Sequence, residues 1–127
     1  MGIENKVMIE DDSRSLKYIV VSVRGDNNSP TLVAKACPMS GPIQIAHRDI
    51  FAGYQNSTED YWAKALGGGR LWIGNGKLVA FDFSGDYGPA DETIVRLLLM
   101  PYCQTKNLEL ILRNKASRWD CPEIDQK

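Results

Sequence analysis

The chain has 127 residues, a formal net charge of −1 and 43% hydrophobic residues. This length fits one domain, and the apolar content is too high for a disordered chain. The near-neutral charge provides no general attraction to nucleic acid or to acidic membranes, and no apolar run approaches the ~20 residues of a membrane-spanning helix.

The histidine and cysteine content argues against metal sites and disulfides. The chain contains three widely spaced cysteines and a single histidine. Scattered cysteines without a close pair are typical of reduced thiols, and one histidine makes a zinc or iron site unexpected. Residues 1–6 lack the pattern of a signal peptide. We therefore expect a cytoplasmic protein without a metal or other cofactor.

The first half of the chain predicts strands followed by a helix. Residues 1–14 are polar and are expected to be loose, apart from a short strand at 7–9. Residues 17–23 are rich in β-branched side chains and predict a central strand, and residues 31–37 predict another after a turn at 24–30. Residues 45–66 carry apolar side chains at helical spacing and predict a first helix, with a break near Asn56 and an end at Gly67–Gly69.

The second half predicts a hairpin, a helix and a last strand. Asn75-Gly76 lies between predicted strands at 70–74 and 77–81, and this pair is the strongest short hairpin signal. A helix is expected from about Pro89 to Leu99, closed by Pro101. A strand at 108–112 and a loose charged tail at 116–127, anchored by Trp119, complete the chain. The sequence therefore predicts a single α+β domain with one mixed sheet of about six strands flanked by two helices.

The stretch from Phe81 to Asp91 could bind an anion. Its sequence predicts the end of a strand, a tight turn with Ser84, Gly85 and Gly88, and the start of a helix. Free backbone N–H groups and the positive end of the helix dipole favour an anion at such a place. Taken alone, the stretch is more typical of a plain strand-to-helix connection, so the interpretation depends on other features.

Three further residues could take part in anion chemistry. His47 is poised for proton transfer near neutral pH, although a histidine at a helix start is more often a surface or capping residue. Arg70 follows three glycines that allow close backbone approach, and its guanidinium matches phosphate oxygens; a solvent-facing arginine is equally compatible. Lys17 begins the central strand, where the ordinary alternative is an edge lysine.

Four motifs along the chain resemble the Janus/Ocnus family, which includes a small phosphohistidine phosphatase, in order and approximate spacing. The resemblance covers roughly residues 16–113 and is most specific in Gly-Gly-Gly-Arg combined with Tyr-Gly-Pro-Ala. It implies a mixed sheet between two helices. It also implies a metal-independent enzyme that hydrolyses the P–N bond of phosphohistidine, or of phospholysine, in proteins. The motifs are Lys17-Tyr18, Ala46-His47-Arg48-Asp49-Ile50-Phe51, Leu66-Gly67-Gly68-Gly69-Arg70 and Ser84-Gly85-Asp86-Tyr87-Gly88-Pro89-Ala90.

The resemblance also implies a set of site residues. His47 would be catalytic, either as a general base that activates water or as a nucleophile, and the sequence leaves both open. A labile P–N bond requires positioning and charge neutralisation more than a metal. The expected partner is a phosphohistidine-containing protein, without nucleic acid or membrane, and a monomer is expected. Phosphate would be bound by Lys17, Arg48, Arg70, Ser84, Gly85 and Asp86.

Two departures from the family pattern favour an alternative function. Pro38-Met39-Ser40 occupies the region before the histidine where family members carry an arginine. Asp86 stands where a small apolar residue is usual, and its carboxylate would repel phosphate unless it points away or Arg48 compensates. The alternative is a catalytically weak relative that binds phosphorylated proteins as a regulatory protein. A third option is an α+β domain of another kind.

Overall fold

The computed structural model of the protein describes residues 6–9, 15–24, 30–38, 47, 50–51 and 62–124. In chain order its elements are β1 (Lys6–Ile9), β2 (Ser15–Arg24), β3 (Pro30–Pro38), β4 (Trp62–Gly74), β5 (Lys77–Asp82), α1 (Glu92–Lys106), β6 (Glu109–Asn114) and a short 3-10 helix (Arg118–Asp120). The strands form one sheet in the order β1-β3-β2-β4-β5-β6. The β1–β3 and β5–β6 pairs are parallel and the other neighbours are antiparallel. The predicted α+β class and the mixed sheet of six strands are confirmed.

Alternation along the central strand β2 separates two faces of the sheet. Successive side chains of a strand point to opposite sides, so even-numbered residues such as Tyr18 pack in the cluster that contains the buried side chains of α1. Odd-numbered residues point to the opposite face, which we call the site face. Two smaller apolar clusters lie there: one is built around Ile19 and Ile50, the other around Trp72 and Ile124.

The hairpin between β4 and β5 agrees with its sequence signal. Asn75 and Gly76 both have positive φ, at 53° and 75°. A two-residue turn with both φ values positive matches the twist of the flanking strands, which is why Asn-Gly is favoured there.

The ends of α1 are capped by residues that sequence analysis did not single out. The Asp91 side chain accepts hydrogen bonds from the backbone N–H groups of Thr93 and Ile94, at 2.9 and 3.1 Å. Asn107 closes the helix in the left-handed conformation, with φ 59°. The helix therefore begins after Asp91 rather than at Pro89, because the aspartate satisfies two N–H groups that would otherwise be unpaired.

The prediction that Pro101 closes this helix is wrong, since α1 continues to Lys106. Proline inside a helix removes one backbone hydrogen bond, but Pro101 lies on the exposed side, where water can satisfy the freed carbonyl. The Thr105 hydroxyl donates a hydrogen bond to the Pro101 carbonyl at 3.0 Å. Burial of the opposite helix face therefore outweighs the local cost of the proline.

The prediction of a helix over residues 45–66 is wrong at its C-terminal end, because β4 already begins at Trp62. Ala, Lys and Leu at 63–66 favour a helix in isolation, but pairing with β2 overrides that preference. His47, Ile50 and Phe51 are helical, while 45–46, 48–49 and 52–61, including the break near Asn56, lie outside the described residues. The described part of the chain thus contains one α-helix with both ends defined, rather than the two predicted.

The segment after β6 is attached to the sheet rather than loose. Cys121 and Ile124 are buried and pack against Trp72 and Phe81. Trp119, the predicted anchor, is 76% exposed, so that prediction is wrong. The described residues include no helix with the length and apolar character to cross a membrane.

Candidate functional site

The site face carries a pair of cations at the centre of the sheet. Lys17 of β2 and Arg70 of β4 are register partners, so their side chains leave the sheet on the same side. They lie between the two apolar clusters of that face: Lys17 is two residues from Ile19 along β2, and Arg70 is two residues from Trp72 along β4. Arg70 is about one-third exposed, and Lys17 is partly buried. The sheet thus places two positive charges where an anion can reach them.

The three glycines before Arg70 allow other backbone segments to approach β4. A Cβ atom at Gly68 would lie 2.3 Å from the Tyr18 carbonyl oxygen, and one at Gly69 would lie 2.5 Å from that of Phe81. Gly67 has φ 145°, and a Cβ there would lie 2.5 Å from the Pro89 carbonyl oxygen. The run predicted to end a helix is instead the part of β4 against which the site is assembled.

His47 packs directly on this glycine run. It is 5% exposed, and its Nε2 donates a hydrogen bond to the Gly69 carbonyl at 2.9 Å. A Cβ at Gly68 would lie 3.1 Å from His47 Cδ2, so the Cδ2–Nε2 edge of the ring faces β4. Because a carbonyl only accepts, Nε2 carries the proton, and the lone pair of the neutral ring is on Nδ1, at the opposite edge. The alternative of a surface histidine is therefore wrong.

Burial and neighbouring charges keep His47 neutral. Its pKa is lowered, chiefly because burial disfavours the charged ring. The hydrogen bond to Gly69 and the charge of Asp86 raise the pKa, whereas Lys17 and Arg70 lower it. The charges of Lys17, Arg70 and Asp86 therefore all act on one imidazole. The structure brings these four predicted site residues together.

The loop that begins at Ser84 is closed by its own hydrogen bonds. The Ser84 amide donates to the carbonyls of Gly68 and Gly88, at 3.1 and 3.2 Å. Buried Ser84 Oγ accepts from the amides of Asp86 and Tyr87, at 3.2 and 3.1 Å. Two of the amides expected to bind phosphate are thus used inside the loop. Gly85 is exposed, and its amide has no hydrogen bond to any residue that the structure describes.

An aromatic contact connects this loop to the segment that carries His47. The Phe51 and Tyr87 rings meet edge to face, with centroids 5.8 Å apart and an interplanar angle of 71°. Both rings pack on the cluster around Ile19 and Ile50. His47 and the Ser84 loop therefore share one apolar support. Arg48, the remaining predicted site residue, lies outside the described residues.

Asp82 is a site residue that the sequence analysis missed. Its Oδ2 lies 3.3 Å from Arg70 Nε, and its Oδ1 accepts a hydrogen bond from the Phe83 amide at 2.9 Å. Its backbone has φ 63°, a left-handed conformation that Asp tolerates better than most residues. The sequence shows Asp82 only as an aspartate between a strand and a Ser-Gly turn. Aspartate is common in turns, so this pattern does not indicate a site residue.

The described residues contain no group of three or more His, Cys, Asp or Glu side chains that could hold a metal ion. What they do assemble is a neutral, buried imidazole beside two cations and two carboxylates. Comparison of the chain with models of known protein families and with curated proteins finds no match. The Janus/Ocnus resemblance therefore stays a prediction that rests on the motif residues, four of which, His47 included, the fold brings together.

Proposed function

We propose that the protein is a metal-independent protein phosphohistidine phosphatase of the Janus/Ocnus type, with His47 as its catalytic residue. The observation that carries the proposal is the state of His47: a buried imidazole, held by Gly69 through Nε2 and acted on by the charges of Lys17 and Arg70. A catalytic base needs a defined tautomer and a pKa below the working pH, and both features are present. The substrate class comes from the resemblance.

In this proposal binding and chemistry reside on different groups. Lys17 and Arg70 neutralise the phosphoryl oxygens, and the Gly85 amide adds a donor at the loop. As a base, His47 Nδ1 takes a proton from water while the water oxygen attacks phosphorus. The P–N bond breaks, and its electron pair returns to the substrate nitrogen. As a nucleophile, Nδ1 attacks phosphorus itself, and water then hydrolyses the phosphorylated ring.

Ser84 has a positioning role in this proposal. Its hydroxyl oxygen accepts from two backbone amides, so it defines the conformation of residues 84–87. The hydroxyl hydrogen is still a donor, because accepting bonds does not consume it. Ser84 therefore shapes the loop that presents the Gly85 amide, whereas Lys17 and Arg70 supply most of the attraction for the phosphoryl group.

The alternative, a regulatory protein that binds phosphorylated proteins with weak catalysis, is favoured by one set of contacts. The Ser84 and Asp86 amides are engaged within the loop, and Asp82 and Asp86 offset the two cations. Fewer donors and no net local charge would weaken stabilisation of a phosphoryl transition state. Under this alternative a phosphohistidine peptide binds but is not turned over.

Hydrolysis of a phosphohistidine peptide by the wild type and by His47→Gln tests the proposal. Gln retains a side-chain N–H for Gly69 but has no basic nitrogen. We expect turnover to fall by at least the ~10² typical of a lost general base, while phosphate affinity and melting temperature change little. Wild-type turnover should be unaffected by EDTA. Binding without turnover in the wild type would select the regulatory alternative, and near-wild-type turnover by His47→Gln would remove His47 from the mechanism.

A further inference from the structure

The strand β1 lies at one edge of the sheet, with a neighbouring strand on one side only. It begins the strand order and pairs with β3 in parallel. In such a pairing alternate residues direct their backbone N–H and C=O groups away from the partner strand. The outer side of Lys6–Ile9 therefore carries donors and acceptors that no described strand pairs, and such an edge is a template for a strand of another chain.

An apolar groove adjoins this edge on the helix-covered face, between β1 and α1. Its volume is about 430 Å³. Leu97 on its α1 side is 53% exposed, and Met8, which alternation places on the site face of β1, is 37% exposed. Two of the four large apolar side chains that are exposed in the described part of the chain thus lie around β1, as is typical of an interaction surface. The groove is lined by Val7, Leu97, Leu98, Pro101, Tyr102 and Thr105.

We propose that β1 pairs antiparallel with β1 of a second copy of this chain, so that one continuous sheet runs through both copies. A two-fold axis perpendicular to the sheet keeps the helix-covered faces of the two copies on the same side, and the same surface patch then serves both copies. Directly opposite residues of an antiparallel pair share a face. Odd-numbered residues of one β1 must therefore meet odd-numbered residues of the other.

One register places apolar residues opposite apolar residues on both faces. In it Met8 lies on the axis and faces Met8 of the second copy, and Val7 faces Ile9 of the second copy. Because Val7 lines the groove, Ile9 of the second copy packs beside it. The two adjacent registers that obey the same rule would place Met8 opposite Lys6 or opposite Glu10. Burial of apolar area therefore favours the register centred on Met8.

The charges at the two ends of β1 favour a second copy as the occupant of this edge. Lys6 at its start is exposed, and Glu10-Asp11-Asp12 follow its last residue in the sequence. Antiparallel pairing brings the basic start of each β1 to the acidic end of the other. Four residues of strand form a small interface, so we expect a reversible, concentration-dependent dimer. This differs from the monomer expected from the sequence.

Sedimentation velocity over a series of concentrations tests the proposal without reference to the proposed function. For the wild type we expect the mass to rise toward that of two chains as the concentration approaches ~1 mM. Met8→Lys and Met8→Glu each place two like charges opposite one another on the axis, and each should raise the dissociation constant about tenfold or more. Trp119→Lys changes an exposed apolar side chain of the C-terminal segment and should keep the wild-type dissociation constant.

An equimolar mixture of Met8→Lys and Met8→Glu tests the register. Opposite charges then meet across the axis, so the mixture should regain the dimer mass that each variant alone has lost. Regained mass also shows that both variants fold.

Four results would overturn the inference. A wild type that stays monomeric at ~1 mM would leave the edge to a different chain. A dimer that persists unchanged in Met8→Lys, or that Trp119→Lys weakens equally, would place the interface elsewhere. A mixture that stays monomeric would contradict the contact of Met8 with its own copy.

Discussion

At the scale of the residue, His47 shows how one backbone contact can define the tautomer of an imidazole. The Gly69 carbonyl accepts from Nε2, which leaves the lone pair of the neutral ring on Nδ1. Burial then disfavours protonation of the ring. Lys17 and Arg70, the cations expected to attract phosphate, act on the pKa in the same direction as burial. The charges expected to attract phosphate therefore also favour the unprotonated imidazole.

The titration of His47 can be measured directly, because it is the only histidine in the chain. A single imidazole resonance in proton NMR should give a pKa below the usual 6.5. Asp86→Asn should lower the pKa further, since the Asp86 charge raises it, and Lys17→Gln should raise it. Glu92→Gln on the helix-covered side serves as a charge-matched control with no expected effect. A wild-type pKa above 6.5 would contradict the burial argument.

The same shift makes stability depend on pH. With a lowered pKa in the folded state, the unfolded chain binds more protons between that pKa and 6.5. The stabilising contribution of neutral His47 is therefore complete above about pH 6.5 and is lost as the pH falls through that window. The acid limb of kcat/KM should also lie below 6.5, because it reports the base of the free enzyme.

Asp82 is expected to orient Arg70 for phosphate. Ordering an arginine side chain costs up to ~2 kcal/mol, and the contact with Asp82 orders Arg70 before phosphate binds. Removal of the Asp82 charge, which repels phosphate, would strengthen phosphate binding by at most ~1 kcal/mol. Asp82→Gly keeps the positive φ without strain and should weaken inorganic phosphate binding about fivefold. Asp82→Asn retains an acceptor for Arg70 and should restore it. Calorimetry of all three proteins checks this, and tighter binding by Asp82→Gly would mean that charge repulsion dominates.

At the scale of the element, other segments can pack against β4 because Gly67–Gly69 have no side chains. The Tyr18 and Phe81 carbonyls, the Pro89 backbone and the His47 ring all approach the positions that Cβ atoms would occupy at Gly67–Gly69. Such contacts come from strands and loops distant in sequence. A run of three glycines therefore indicates close approach, but the approaching partner cannot be predicted from the run itself.

Gly68→Ala should reduce the free energy of unfolding by about 1–3 kcal/mol, the usual cost of overpacking. The backbone must shift to relieve the contact with the Tyr18 carbonyl, and His47 must move with it. Gly85→Ala is the matched control, because nothing lies within 4 Å of a Cβ there and its φ needs no glycine. Its effect should stay within ~0.5 kcal/mol. Urea denaturation measures the free energy of unfolding of both variants. Equal values would contradict the close approach of the Tyr18 carbonyl to Gly68.

The elements that sequence reasoning found are those whose signals are local. The β-branched side chains of residues 17–23 predict β2, and Asn75-Gly76 predicts the β4–β5 hairpin, because each signal depends on neighbours in the chain. Residues 63–66 favour a helix locally and become a strand through pairing with β2. Asp82 was missed for the same reason, since its contact is with Arg70 across the hairpin.

At the scale of the whole molecule, the sheet separates the largest apolar cluster from the candidate site. Its helix-covered face carries the largest apolar cluster, whereas the site face carries two smaller clusters with Lys17 and Arg70 between them. The order of the motifs in the chain does not by itself predict that His47 lies on that face, because the order of the strands in the sheet is also needed. The C-terminal segment belongs to the site face as well, because Ile124 packs against Trp72 and Phe81.

Ile124 rather than Trp119 should therefore attach the C-terminal segment. Ile124 is 2% exposed among Trp72 and Phe81, so Ile124→Ala loses apolar burial and leaves a cavity. We expect the free energy of unfolding to fall by about 2 kcal/mol, the low end for buried Ile→Ala, because a segment near the chain end can collapse into the space. Trp119→Ala removes a larger but exposed side chain, and its effect should stay within ~0.5 kcal/mol. Urea denaturation of both variants measures the difference. If Trp119→Ala were the more destabilising, the segment would be held by the tryptophan after all, and the packing of Ile124 on Trp72 and Phe81 would contribute less than its burial indicates.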